Sequence, residues 1–140
     1  MTTVNALTKF GMNHGLEELT EQYALALPDC PDGQLQIDFS HCIIDYPATS
    51  RIVDAALDRL ALAQPPRELV LLFNIKFREQ MFLKAFFFGS RRLGLDTGIP
   101  TMEDIRVRAN QALKDMNIVV HIRIPQRNSA AILQDFVYGQ

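Results

Sequence analysis

An α/β layered fold with a mixed, largely parallel central sheet flanked by helices is predicted by three observations. Three apolar runs of strand length, beginning at Leu35, Leu69 and Ile118, are each bounded by turn residues. The stretches between them carry apolar side chains at three- and four-residue spacing, the mark of helices with one buried face. Each gap is long enough for a helical crossover, and strands joined that way run parallel with right-handed connections.

The elements follow in order. Thr2–Phe10 is short and extended, and residues 11–15 (GMNHG) form a loop whose Asn13 can cap the next helix. Leu16, Leu19, Tyr23 and Leu27 line one helical face, with Glu17, Glu18 and Glu21 near the start, where the macrodipole favours anions. Residues 28–33 (PDCPDG) end that helix, after which Leu35, Ile37 and Phe39 alternate with Gln36, Asp38 and Ser40 as in a half-buried strand. Pro47 suits a first helical turn, and Ile52, Val53, Ala56, Leu57 and Leu60 follow on one face while Arg51, Asp54, Asp58 and Arg59 face water. Pro65 and Pro66 stop the helix. Leu69–Ile75 is apolar up to Asn74, as expected for a central strand covered on both faces.

Arg78–Leu93 reads as a helix closed by Gly94, apolar nearly all round except near Gln80 and Lys84. Thr101-Met-Glu-Asp104 has the form of a capping box, and Met102, Ile105, Ala109, Ala112, Leu113 and Met116 give its helix an apolar stripe that Asn117 closes. Ile118–Ile124 is a strand stopped by Pro125, and Asn128–Tyr138 is expected as a short terminal helix. Residues 1–140 thus make one domain, with a core over about residues 13–124 and a C-terminal tail or short helix over 125–140.

Composition agrees with that organisation. A chain of 140 residues with 48% hydrophobic residues and nine Phe can bury a real core. The formal charge of −2 divides into −6 over residues 1–75 and +4 over residues 76–140, without a long block of like charges. Met1–Phe10 has no secretory pattern, and the two cysteines, Cys30 and Cys42, lie apart in a chain large enough to fold without staples. A cytoplasmic protein with reduced thiols is expected. The apolar cluster Met81–Gly89 contains Lys84 and is far shorter than the roughly 20 residues needed to cross a bilayer, so no membrane span is expected.

Most chemistry with a known sequence form is missing. No Gly-x-Gly-x-x-Gly, no Gly-Lys-Ser/Thr and no Gly-x-Ser-x-Gly occurs, so neither a nucleotide loop nor a hydrolase elbow is expected. His41 and Cys42 are adjacent, which on a strand points them to opposite faces, and His14 and His121 share no ligand spacing with either cysteine. We therefore expect no catalytic constellation, no metal site and no cofactor.

From Leu35 to Leu60 the runs IDFS, HCII and DYPATSRIVDAALDRL resemble the STAS domain, whose familiar member is the anti-sigma-factor antagonist. That family has an apolar strand ending in Asp-Leu-Ser or similar, two apolar positions, an Asp-Ser-Ser-Gly turn and a Leu-rich helix. Ile37-Asp-Phe-Ser40, Ile43, Ile44, Asp45 and the helix through Leu60 fall at matching places, the Leu69–Ile75 strand fits, and residues 91–96 (RRLGLD) resemble the family's helix end. Matched from Asp45, the two family serines fall on Tyr46 and Pro47, and the glycine on Ala48. Pro47 cannot accept a phosphate, and in this the chain resembles the STAS-like branch that lacks the phosphoacceptor. Thr97–Asn117 adds a helix that a minimal STAS domain does not need.

The resemblance implies a regulatory, non-enzymatic module that binds a protein partner, such as a kinase-like ATPase or another signalling component. The contact would be Asp45, Tyr46, Thr49, Ser50 and Arg51. A phosphate on Thr49 or Ser50 would meet a helix N-terminus, while plain capping by Asp45 or Thr49 competes with both readings. Phe82 and Phe87, on the nearly all-apolar helix, are a candidate surface for a homo-oligomer. The alternative is a nucleic-acid-binding accessory protein, in which Arg91, Arg92, Arg106, Arg108 and Arg123 form a basic face together with Lys114 and Arg127.

Overall fold

A computed structural model describes residues 2–5, 16–40, 46–74, 78–80, 83, 101–126 and 129–140. Its elements are β1 (Thr2–Asn5), α1 (Leu16–Leu25), β2 (Gln34–Asp38), α2 (Tyr46–Leu60), β3 (Arg67–Leu72), α3 (Met102–Asp115), β4 (Ile118–Gln126) and β5 (Ser129–Tyr138). The strands form one mixed sheet in the order β1-β2-β3-β4-β5. The first four are parallel, and β5 is antiparallel to β4. This is the α/β, largely parallel architecture expected from the alternation of strand and helix patterns, with β3 in the middle.

Register explains which residues make the core. Leu35, Leu69, Val120 and Tyr138 are successive cross-strand partners, and so are Val4, Ile37, Leu71, Ile122 and Phe136. Because side chains alternate along a strand, these two rows share one face of the sheet. The same face receives Ala24 of α1, Ile52, Val53, Ala56, Leu57 and Leu60 of α2, and Ile105, Ala109 and Leu113 of α3, all in one buried cluster. The three helices therefore lie on the same side. That follows from the strand order: each parallel connection steps to the next position in the same direction, and right-handed crossovers then all fall on one face. Burying a Leu or Ile completely contributes about 1.5–3 kcal/mol, so these rows dominate stability.

The opposite face carries the other register rows. Thr3, Gln36, Val70, His121 and Val137 make one, and Asn5, Asp38, Leu72, Arg123 and Asp135 the next. Val70 is fully buried but stands outside the core cluster, as its place on this second face requires. The burial of Leu69, Val70 and Leu71 together matches a strand apolar on both sides.

Local chemistry sets the element ends. At α3, Thr101 Oγ1 accepts from the Asp104 N–H at 3.1 Å and the Thr101 N–H donates to Asp104 Oδ2 at 3.2 Å, so the expected capping box is present. Asn117 ends the same helix in the left-handed region, at φ 54°. Gly33, with φ 74°, turns the chain into β2, and its carbonyl accepts from the Glu68 N–H at 2.8 Å. Phe39 stacks on Phe73 with ring centroids 5.1 Å apart, extending the core past the strand ends.

Two expectations are corrected. The C-terminal residues form neither a tail nor a helix: Ser129–Tyr138 is a strand, paired with β4 from Val120↔Tyr138 to Gln126↔Ser129. Ile132, Phe136, Val137 and Tyr138 favour extended structure, and β4 offers them an edge after only residues 127 and 128. Nor does Pro125 stop β4, which continues through it to Gln126 with a register irregularity at that step. The expected helix Arg78–Leu93 and its Gly94 lie largely outside the described residues. Among the described residues, no helix is long and apolar enough to cross a membrane.

Candidate functional site

The segment Leu35–Leu60 runs along β2, leaves the sheet at the end of that strand and continues into α2. Phe39 N–H donates to the Leu72 carbonyl at 2.7 Å and Phe73 N–H to that of Arg123 at 3.0 Å, which continues the parallel ladder to the C-terminal ends of β2 and β3. There Asp38 turns its carboxylate forward. Its Oδ1 accepts from the Ser40 N–H at 2.8 Å and the Ser40 hydroxyl at 2.5 Å, a local turn of the kind Asp favours. Residues 41–45, including His41, Cys42 and Asp45, lie outside the described residues, and the chain resumes at Tyr46 as the first residue of α2.

Of the expected contact residues, Asp45 lies outside the described residues, and Thr49, Ser50 and Arg51 differ in exposure. Thr49 is 1% exposed and Ser50 8% exposed, on the buried side of α2. These residues precede Ile52 and Val53 by about one helical turn, on the same buried stripe. A kinase or a partner would have to open the first turns of α2 to reach them. Arg51 lies at the surface but is held by α1: its Nε donates to Glu21 Oε2 at 2.8 Å and its Nη2 to Oε1 at 2.6 Å. This two-pronged pair holds the Glu21 carboxyl below its ordinary range, chiefly through the hydrogen bond, and raises the Arg51 guanidinium.

The alternative basic face is divided by the sheet. Arg123 belongs to the second sheet face and approaches Asp135 at 3.6 Å, while Arg106 and Arg108 are on α3, which packs against the first. Arg106 is also engaged, with Glu79 at 3.2 Å and Glu103 at 3.7 Å. Arg108 is exposed. Arg91, Arg92, Phe82 and Phe87 lie outside the described residues.

Several polar groupings escaped the sequence reading. Tyr138 is buried at the end of β5 and donates its hydroxyl to Glu79, which also takes the Arg106 guanidinium. Burial and the neighbouring carboxylate push the Tyr138 phenol well above its ordinary pKa. On the second sheet face His121 Nδ1 lies 3.1 Å from Asp135 Oδ2. The alternation of β4 places His121 and Arg123 on one face and was the readable signal. Arg59 reaches from α2 to carbonyls at and just past the end of α1, donating to those of Leu25 at 3.0 Å and Leu27 at 3.2 Å. Contacts separated by thirty-odd positions left no pattern in the sequence.

Cys30 is a free, buried thiol bonded to the Pro28 carbonyl at 3.5 Å. Burial, then Asp32 and Asp29, raise its pKa, which keeps it protonated and a poor nucleophile. Among the described residues, no group of three or more His, Cys, Asp or Glu side chains is placed to hold a metal ion. No protein-family model matches the chain, and no curated protein and no solved structure matches it either.

Proposed function

We propose that this chain is a non-enzymatic, STAS-like regulatory module of the cytoplasm that binds a protein partner through residues 45–51 and the outward side of α2. The observation that carries the reading is the Asp38–Ser40 lock at the end of β2. It fixes where the chain leaves the C-terminal edge of the parallel strands, shortly before α2 begins at Tyr46. In layered α/β proteins that edge is where loops meet ligands. A sheet whose neighbours are also sequence neighbours has no point where strand order reverses, hence no ready crevice there, and a convex turn-and-helix contact suits it better than a buried substrate.

The burial of Thr49 and Ser50 makes the contact a constitutive one in this proposal, independent of phosphorylation at those hydroxyls. Tyr46, Arg51 and the next outward positions, Asp54 and Asp58, supply the recognition surface. By resemblance the partner is a kinase-like ATPase or another signalling component. Affinity capture with mass spectrometry, comparing the native chain with the Asp45→Ala/Tyr46→Ala variant and with Leu62→Ala as an exposed control, tests this. Loss of a partner from the double variant alone is expected; identical partner lists for all three would overturn the proposal.

A further inference from the structure

We infer that the two turns leading into β2 and β3, residues 25–33 and 61–66, form a docking surface for a basic amphipathic segment of another protein, one that sets Lys or Arg beside large apolar side chains. Leu25 is 65% exposed and Leu62 79% exposed, the highest values for large apolar side chains among the described residues. Pro28, Pro31, Pro65 and Pro66 are exposed in the same two turns. Single exposed apolar side chains are ordinary, but several gathered at one place mark a contact surface. Both turns lie wholly within the described residues, and their exposure in the folded chain leaves both leucines uncovered.

The two turns are fixed to each other. The Arg59 guanidinium donates to the Leu25 carbonyl at 3.0 Å, while the Arg59 carbonyl accepts from the Leu62 N–H at 3.2 Å, so one residue sets the place of both leucines. The Gly33 carbonyl accepts from the Glu68 N–H at 2.8 Å, just past Pro66. A surface already in place loses little conformational freedom when it binds.

Charge decides the occupant. Residues 25–34 contain Asp29 and Asp32 and no Lys or Arg, and Asp58 is exposed near the end of α2. The guanidinium groups of this edge are turned to backbone carbonyls: Arg59 to those of Leu25 and Leu27, Arg67 to those of Ala61, Ala63 and Met116. Lys114 of α3 is exposed, with the exposed Asp115 next to it in the chain. Both α1 and α2 end at this edge, so the negative ends of their dipoles meet here, and α1 has no basic residue in its last turn. An apolar surface in a negative field repels nucleic acid and anionic lipid, and it favours a partner that brings apolar groups to the centre and cations to the rim. This edge lies at the opposite end of α2 from residues 45–51, so it is a second contact, and Leu62→Ala remains a control for the first.

The test is a titration of the full chain with a short fluorescein-labelled peptide of alternating Leu and Lys, set against Leu/Glu and Ser/Lys peptides of equal length. Fluorescence anisotropy reads affinity, and nitrogen–proton correlation spectra read the place of binding. The Leu/Lys peptide should bind, shift amides of 25–33 and 58–66, and weaken as salt rises. Leu25→Ser/Leu62→Ser, with an unchanged circular dichroism spectrum, should bind it at least about tenfold more weakly, the effect of losing buried leucine surface. Equal binding of either counterpart peptide, shifts confined to other residues, or no binding at all overturns the inference. So does movement of the same amides with protein concentration alone, which would make a second copy the occupant. If the double variant loses its fold, the map of shifts on the native chain decides alone.

Discussion

Arg67, the first residue of β3, donates its Nη1 to the backbone carbonyl of Met116 at 2.7 Å and so closes the C-terminus of α3 from a different strand. The same guanidinium donates Nε to the Ala63 carbonyl at 2.9 Å and Nη2 to that of Ala61 at 3.2 Å, just beyond the end of α2. One cation thus satisfies carbonyls at two helix ends, where the macrodipole is negative and intrahelical donors run out.

Replacing Arg67 by Ala should cost on the order of 2–3 kcal/mol, because charge-assisted hydrogen bonds are lost and carbonyls are left without partners. Lys keeps the charge but not the planar fork and should recover only part of the loss. Urea denaturation of the native chain, Arg67→Ala and Arg67→Lys gives the order directly; equal stability of all three would mean that solvent replaces the guanidinium.

Gly33→Ala should destabilise by at least about 2 kcal/mol, since a left-handed backbone is unfavourable for any L side chain. Its φ is 74°, and an added Cβ would stand 2.5 Å from the Pro66 carbonyl oxygen. Relief of that contact would pull β2 away from the start of β3. The midpoint of chemical denaturation measures the effect, and a shift within error of zero would contradict the geometry.

The Glu21–Arg51 pair predicts a pH-dependent link between α1 and α2. The Glu21 carboxyl is lowered in the folded chain, so its contribution is fully present above the ordinary carboxylate range and disappears as pH falls through the lowered value. Both side chains are well exposed, at 39% and 49%, so the link is modest and screened by salt. Melting temperatures of the native chain and Glu21→Gln, taken at low salt, should differ at neutral pH and converge in acid. A constant gap across that range would refute the link.

Tyr138 gives the opposite sign. Its phenol is raised in the folded chain, so its contribution is complete below the ordinary tyrosine pKa and is lost as pH climbs above about 10, where the unfolded chain releases the proton first. In an alkaline titration followed by tyrosinate absorbance, Tyr138 should ionise only as the fold opens. The difference between the native chain and Tyr138→Phe isolates this one group; an early, reversible tyrosinate signal from it would refute the burial.

The parts of the fold that local patterns determine were legible. The α2 stripe from Ile52 to Leu60, the Thr101–Asp104 box and the Asn117 stop all depend on neighbours a few residues away, and each is present. β5 was misread because Ile132 with Phe136 and Leu133 with Val137 also suit helical spacing; the neighbouring edge of β4 made the choice. At the candidate site the place of the helix start was legible, and so was the burial of Thr49. Thr49 precedes Ile52 and Val53 at helical spacing, which already assigns it to the buried stripe. The partner of Arg51 lies thirty positions upstream on another helix, and no spacing rule reaches that far.

The order of the strands has a consequence for how the chain assembles. Each strand lies beside the one that precedes it in the sequence, so every new pairing extends an edge already in place. A chain leaving the ribosome from its N-terminus can lay down β2, β3, β4 and β5 in turn, without any strand having to insert between two others. Synthesis order and spatial order coincide, and the sheet can grow by addition at one end.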